Sequence, residues 1–154
     1  PRSTLFPYTT LFRSQTFSIH LAGIFPLVFG LASMTQGKRA LHFMEKYLLK
    51  QGGLITTSMT SGQQWDAPNG WAPLQWMALK AAETYEQKEL GIRIAERWTT
   101  LNEKVFALTG KMMEKYNVED SGSKGEGGEY PVQDGFGWSN GVYLAMKEWL
   151  AENR

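Results

Sequence analysis

The sequence predicts an all-α fold, and three observations predict it. Apolar residues recur at three-four spacing in several segments, which marks helices with one buried face. Period-two alternation never survives for more than a few residues, so no extended sheet is expected. Stretches rich in Gly, Pro, Ser and Asn separate the periodic segments, as short turns and long loops should. With 154 residues, 42% of them hydrophobic, the chain is long enough for one domain with its own core.

Phe17 to Ser33 is apolar on nearly all sides and reads as a buried helix, bent or broken near Pro26. With Arg13 before it, the run from Ile19 to Ala32 mimics a secretory signal. It is too short to span a membrane, and Gly23, Pro26 and Gly30 interrupt it. Gly37 to Lys50 places Leu41, Met44, Tyr47 and Leu48 on one face, and Gly52-Gly53 ends that helix. Leu54 to Gln64 is rich in Thr, Ser and Gly and reads as an irregular crossing loop. Asn69 is the expected cap of a helix from Gly70 to Tyr85, with Pro73 in its first turn, where a missing amide proton costs little. Trp76, Leu79 and Ala81 or Ala82 form its buried stripe. A longer helix, Glu86 to Leu108, carries Leu90, Ile94, Trp98, Leu101 and Val105 until Gly110 stops it. Asn117 to Gly128 has four glycines and few apolar side chains, so it is a loop. Ser139 or Asn140 caps a last helix to Glu152, with Val142, Met146 and Trp149 inside.

The net charge of +1 gives no electrostatic reason to bind nucleic acid or an anionic membrane. Zero Cys excludes a disulfide framework and thiol chemistry, and suits cytosol and periplasm alike. His20 and His42, the two histidines, read as structural, because no Cys or second His stands at metal-ligand spacing. No metal site is expected.

Two loops carry the chemistry. Gln64-Trp65-Asp66-Ala67-Pro68-Asn69-Gly70-Trp71-Ala72-Pro73 sets two indoles six residues apart among a carboxylate, two amides and backbone-stiffening Pro and Gly. Indole faces stack on the apolar faces of sugar rings, and short polar side chains bond the hydroxyls around the ring edge. Gly125 to Trp138 has similar character. Each residue also has a plainer reading. Trp65 and Trp71 are either stacking platforms or core. Asp66 bonds either sugar hydroxyls or the amides of its own turn. A phosphate cradle at Gly125 to Gly128 is excluded, because no Lys-Ser/Thr pair follows.

Thr4 to Ser14, TLFPYTTLFRS, reads as an in-frame translation of a common sequencing adapter. Residues 1–14 are therefore taken as adapter-derived and left out of fold reasoning. Native sequence is expected to begin near Gln15, with residues upstream of it missing.

The two loops resemble those of the inverting α,α-trehalases. The matching segments are Gly62 to Trp76 (GQQWDAPNGWAPLQW) and Gly127 to Val142 (GGEYPVQDGFGWSNGV), with Gly52-Gly53-Leu54 and Thr56-Thr57-Ser58 upstream. The resemblance covers Ile24 to Met146. It implies an (α/α)6 toroid, or barrel, of which residues 15–154 are the C-terminal part, about one third, with the active site on loops at one end. It implies trehalose as substrate, with no metal or organic cofactor, because two carboxyl groups suffice. In an inverting hydrolase one carboxyl protonates the bridging oxygen while the other takes a proton from water, about 6.5–9.5 Å away.

The resemblance places the general base at Glu114 and a substrate-binding carboxylate at Glu129, fifteen positions later. Gln64, Trp65, Asp66, Asn69 and Trp71 are the further expected substrate contacts. From composition alone Glu114 reads first as a solvated helix-end charge beside Lys111 and Lys115, and only the resemblance reverses that reading. The family's general acid is an upstream Asp whose motif no residue here matches. This chain is thus expected to hold half of the catalytic pair, to need the N-terminal part of the same domain as partner, and to be inactive alone. Two other functions stay open: a sugar-binding module without hydrolysis, and an (α/α)6 glycosidase for another glucoside.

Overall fold

The computed structural model describes residues 19–120 and 130–154. Residues 1–14, read above as adapter-derived, and Glu129 lie outside the described residues. The first apolar segment is shorter and more broken than its hydrophobicity suggests. A 3-10 turn, Leu21–Ile24, leads into α1, Phe25–Val28. Pro26 stands in the first turn of α1, where it starts a helix and does not bend one. Leu21, Ile24 and Leu27 are buried at three-residue spacing, while Phe29 and Leu31 are 69% and 77% exposed. The expectation of a helix buried on all sides is therefore corrected: one edge is core and the rest is surface.

Helix α2, Met34–Leu48, begins three residues before the start expected at Gly37. Ser33 accepts from the Gln36 amide at 3.3 Å, and the Gln36 side chain accepts from the Ser33 amide at 3.0 Å. This reciprocal cap satisfies two amides that have no partner within the helix. Gly37 is buried against the Tyr85 ring, so close that a Cβ would meet it at 2.1 Å. Beyond the helix, Gly52-Gly53 lies in a tight hairpin in which β1, Leu49–Lys50, pairs antiparallel with β2, Gly53–Leu54.

The second hairpin-like pairing joins distant segments. Strand β3, Asn69–Trp71, runs antiparallel to β4, Lys115–Asn117, with Trp71 opposite Lys115. Asn69 is thus a strand residue and not a helix cap, because its carbonyl accepts from the Thr56 amide at 3.0 Å. Trp71, in extended conformation, precedes α3, Ala72–Thr84. In α3, Ala78, Leu79, Ala81 and Ala82 are fully buried. Trp76 is only partly buried, with the Lys80 ammonium 4.7 Å above its ring.

Helix α4, Lys88–Thr109, buries all five apolar residues of its expected stripe. Gly110, at φ 68°, ends it in the left-handed conformation that side chains resist. Helix α5, Gly137–Asn153, starts after Phe136 without a side-chain cap. Ser139, expected as the cap, spends its hydroxyl on the Met113 carbonyl at 2.6 Å.

Helices α3, α4 and α5 pack on one another around Trp98, whose ring meets Tyr116 edge-on at 5.2 Å. Gln75, fully buried on α3, bonds both the amide and the carbonyl of Leu54, at 2.8 and 2.7 Å. That pair of bonds fixes the β1–β2 hairpin to the helix layer. Apolar side chains stay open at both ends of the helix series. A groove of about 650 Å³ is lined by Leu21, Ile24, Leu27, Phe43, Met44 and Leu48. Leu108 and Leu144 are 75% and 65% exposed at the other end. His20 and His42, read as structural, are both exposed. Among the described residues no group of three or more His, Asp or Glu is arranged to hold a metal, and no helix is long and apolar enough to cross a membrane.

Candidate active site

The site is built where β4 meets the two polar-aromatic loops. Met113 and Glu114, just before β4, are tied at all four of their backbone polar groups. The Met113 amide donates to the Tyr116 hydroxyl at 2.9 Å, and its carbonyl accepts from Ser139. The Glu114 amide donates to the Gln133 carbonyl at 2.9 Å, and its carbonyl accepts from the Trp138 indole at 3.1 Å. A backbone held on four sides leaves the side chain of Glu114 little freedom of direction.

That side chain is buried, with 3% of the residue exposed. Its Oε1 accepts from the Tyr130 hydroxyl at 2.8 Å. Its Oε2 lies 3.7 Å from the Lys115 ammonium and has no hydrogen-bond partner among the described residues. The bond to Glu114 holds the Tyr130 hydroxyl above the usual tyrosine range, with burial adding to the shift and Gln64 opposing it. Tyr130 therefore stays protonated at neutral pH and donates.

Lys115 is fully buried, although composition made it a solvated neighbour of Glu114. Its ammonium donates to Gln64 Oε1 at 3.2 Å and lies over two rings, Trp71 at 5.5 Å and Tyr130 at 5.2 Å. Cation–π contact and the nearby carboxylate offset the cost of removing this charge from water. Nothing in the linear sequence distinguishes it from an exposed lysine. Only the β3–β4 register, which sets Lys115 against Trp71, turns it inward.

The two indoles stack on each other. Trp65 lies on Trp71 with centroids 3.8 Å apart and planes 6° from parallel. Trp71 is 1% exposed and meets Trp138 edge-on at 5.8 Å, whereas Trp65 is 46% exposed. Trp71 thus supports the stack from below, and Trp65 offers the open surface. The Gln64 carbonyl gathers the loop by accepting from the Trp71 indole at 3.0 Å and from the Asn69 side-chain Nδ2 at 3.3 Å. Asn69 is buried.

Asp66 turns toward its own loop. Its carboxylate accepts from the hydroxyls of Ser61 and Thr57, which together hold it below the usual aspartate range. The structure thus brings Glu114, Gln64, Trp65, Trp71 and Asn69 into one contiguous cluster and shows Asp66 fastening its edge. It adds Lys115, Tyr130 and Trp138, which sequence reasoning had not singled out.

Helices packed in series, with a buried carboxylate and aromatic loops beside them, fit an arc of a helical toroid. The neutral trehalase Nth1 from Saccharomyces cerevisiae, an (α/α)6 toroid, superposes with a TM-score of 0.76 at 27% identity, covering 90% of this chain and 25% of that one. The trehalase family model matches residues 2–150, and the chain belongs to the trehalase family. It is 47% identical to the periplasmic trehalase of Pseudomonas aeruginosa over 128 residues, 83% of this chain and 24% of that protein. A putative periplasmic trehalase of Salmonella typhi is 46% identical over 125 residues, 81% of this chain and 22% of that protein. The chain therefore spans about a quarter of the length of the relatives it matches.

Proposed function

We propose that this chain is the base-bearing part of an enzyme that hydrolyses α,α-trehalose to two glucose molecules with inversion. Glu114 takes the proton from the attacking water. The acid that protonates the bridging oxygen is supplied by the remainder of the toroid. Trp65 stacks on a glucose ring with Trp71 behind it, Gln64 and Asn69 order the polar edge, and Glu129 bonds sugar hydroxyls. Asp66 acts mainly by bracing the loop. No metal or organic cofactor enters this mechanism. Residues 1–14 are adapter-derived in this reading, and 15–154 belong to the toroid.

The observation that carries the proposal is the state of Glu114. It is a buried carboxylate on a pinned backbone, with one oxygen engaged by Tyr130 and the other left to accept. A solvated helix-end charge has none of these properties. The family relationship adds the substrate, since the relatives are named as trehalases.

In a full-length trehalase carrying this segment, Glu114→Gln keeps the shape and removes the base. Glucose release from trehalose should fall by about 10³-fold or more, with KM changed only a few-fold. Retained turnover would leave a sugar-binding role for the cluster and sink the base assignment. Equal activity of the unaltered enzyme on maltose would point to another glucoside. Residues 1–154 alone should release no glucose from trehalose, because one carboxyl group cannot serve both faces of the bond.

A further inference from the structure

We propose that Lys115 and Tyr130 are positioning residues that clamp the Glu114 carboxylate and assign Oε2 as the atom that accepts the proton from water. This rests on the reading of Glu114 as the base. Lys115 and Glu114 are the two buried charged side chains among the described residues, and they are neighbours in sequence. A buried ammonium normally closes onto its carboxylate partner and occupies its lone pairs. Here it does not. The gap to Oε2 is 3.7 Å, beyond hydrogen-bond reach. The ammonium is drawn back by Gln64 Oε1 at 3.2 Å and by the faces of Trp71 and Tyr130. Lys115 thus supplies its positive charge to Oε2 without filling that oxygen's lone pairs.

Tyr130 completes the clamp on the other side. Its hydroxyl bonds Oε1 at 2.8 Å, and its ring covers the ammonium of Lys115. One side chain thereby fixes both arms of the arrangement. Its hydroxyl proton is held firmly by Glu114, so Tyr130 donates to the carboxylate and does not compete for the proton of water. With Oε1 engaged and Oε2 buried but without a hydrogen-bond partner among the described residues, the step balances simply. A water O–H bond breaks and its proton goes to Oε2. The oxygen's electron pair forms the bond to the anomeric carbon. The bridging oxygen leaves with the electrons of the broken glycosidic bond and takes a proton from the second carboxyl group.

The test uses a full-length trehalase carrying this segment, with Lys115→Met, Tyr130→Phe and Glu114→Gln alone and combined. Lys115→Met should lower kcat by about 100-fold and Tyr130→Phe by about 10-fold, with KM held within about threefold. In the Glu114→Gln background neither change should lower the residual rate further, because both act through that carboxylate. A merely structural role would lower the rate in both backgrounds, and that result overturns the proposal. So does kcat unchanged within about twofold in both single variants while Glu114→Gln is inactive. Full turnover by Glu114→Gln would instead remove the reading beneath it. Should Lys115→Met fail to fold, Tyr130→Phe, which loses only a hydroxyl from a partly exposed ring, decides alone.

Discussion

The two loops of the site are ordered by opposite means. The first, from Thr56 to Trp71, is held within by its own side chains, with its end paired to β4. Asp66 gathers Thr57 and Ser61, and the Gln64 carbonyl gathers Asn69 and Trp71. The second, from Tyr130 to Ser139, is held by what it touches elsewhere. Tyr130 bonds Glu114, Gln133 receives the Glu114 amide, and Trp138 and Ser139 bond the carbonyls of Glu114 and Met113. A self-bonded loop arrives at the site preorganised, while a borrowed one orders only when its partner is in place. The proposed base sits on the segment that the second loop embraces, so the two arrangements meet at Glu114.

Trp71 touches both arrangements, and removing it should have the largest effect. Trp71→Ala deletes a buried indole that supports Trp65, faces Trp138 and covers Lys115. Urea unfolding should show a loss of about 3–5 kcal/mol. Loss of less than about 1 kcal/mol would mean that the two loops are not joined through this ring.

Ser139→Ala strikes the borrowed loop alone. It leaves the Met113 carbonyl without its hydroxyl partner and should cost about 1–3 kcal/mol. Amide exchange should rise around Met113 to Tyr116 and leave Thr57 to Trp71 unchanged. Equal loosening of the first loop would break the distinction between them.

Asp66 offers the smallest and most local probe. Its folded value lies below the ordinary 3.8, so its bonds add stability that is complete above 3.8 and lost as pH falls through the lowered value. The stacked indoles Trp65 and Trp71 give a coupled circular-dichroism signal, which should weaken only in that acid range. Asp66→Asn should remove this pH dependence. A transition between pH 5 and 7 would speak against the carboxylate as the fastener.

The helices were legible because burial follows period. Leu90, Ile94, Trp98, Leu101 and Val105 on α4 stand in the sequence at three-four spacing and are all buried, whereas the Ser33–Gln36 cap of α2 went unread and that helix was expected to begin at Gly37. The broken first segment was not, because hydrophobicity records the tendency to be buried and not the neighbour available to cover it. Phe29 and Leu31 are as apolar as Leu27 and yet lie in the open. In the candidate site, Glu114 and the aromatic loops were singled out through family resemblance. Lys115 was not, since a lysine beside a glutamate reads as a surface pair until a strand register turns it inward.

Local chemistry therefore determined which segments coil, where Gly110 and Pro73 punctuate them, and which loops gather indoles and amides. Those are choices made by a few adjacent residues, and the chain order carries them. Tertiary structure alone decided that Asn69 would pair with Asn117 instead of capping a helix, that Ser139 would serve Met113, and that Lys115 would be buried 3.7 Å from Glu114. Each of those outcomes depends on groups far apart in sequence competing for the same hydrogen bond or the same dry space, and only the packed fold settles such a competition.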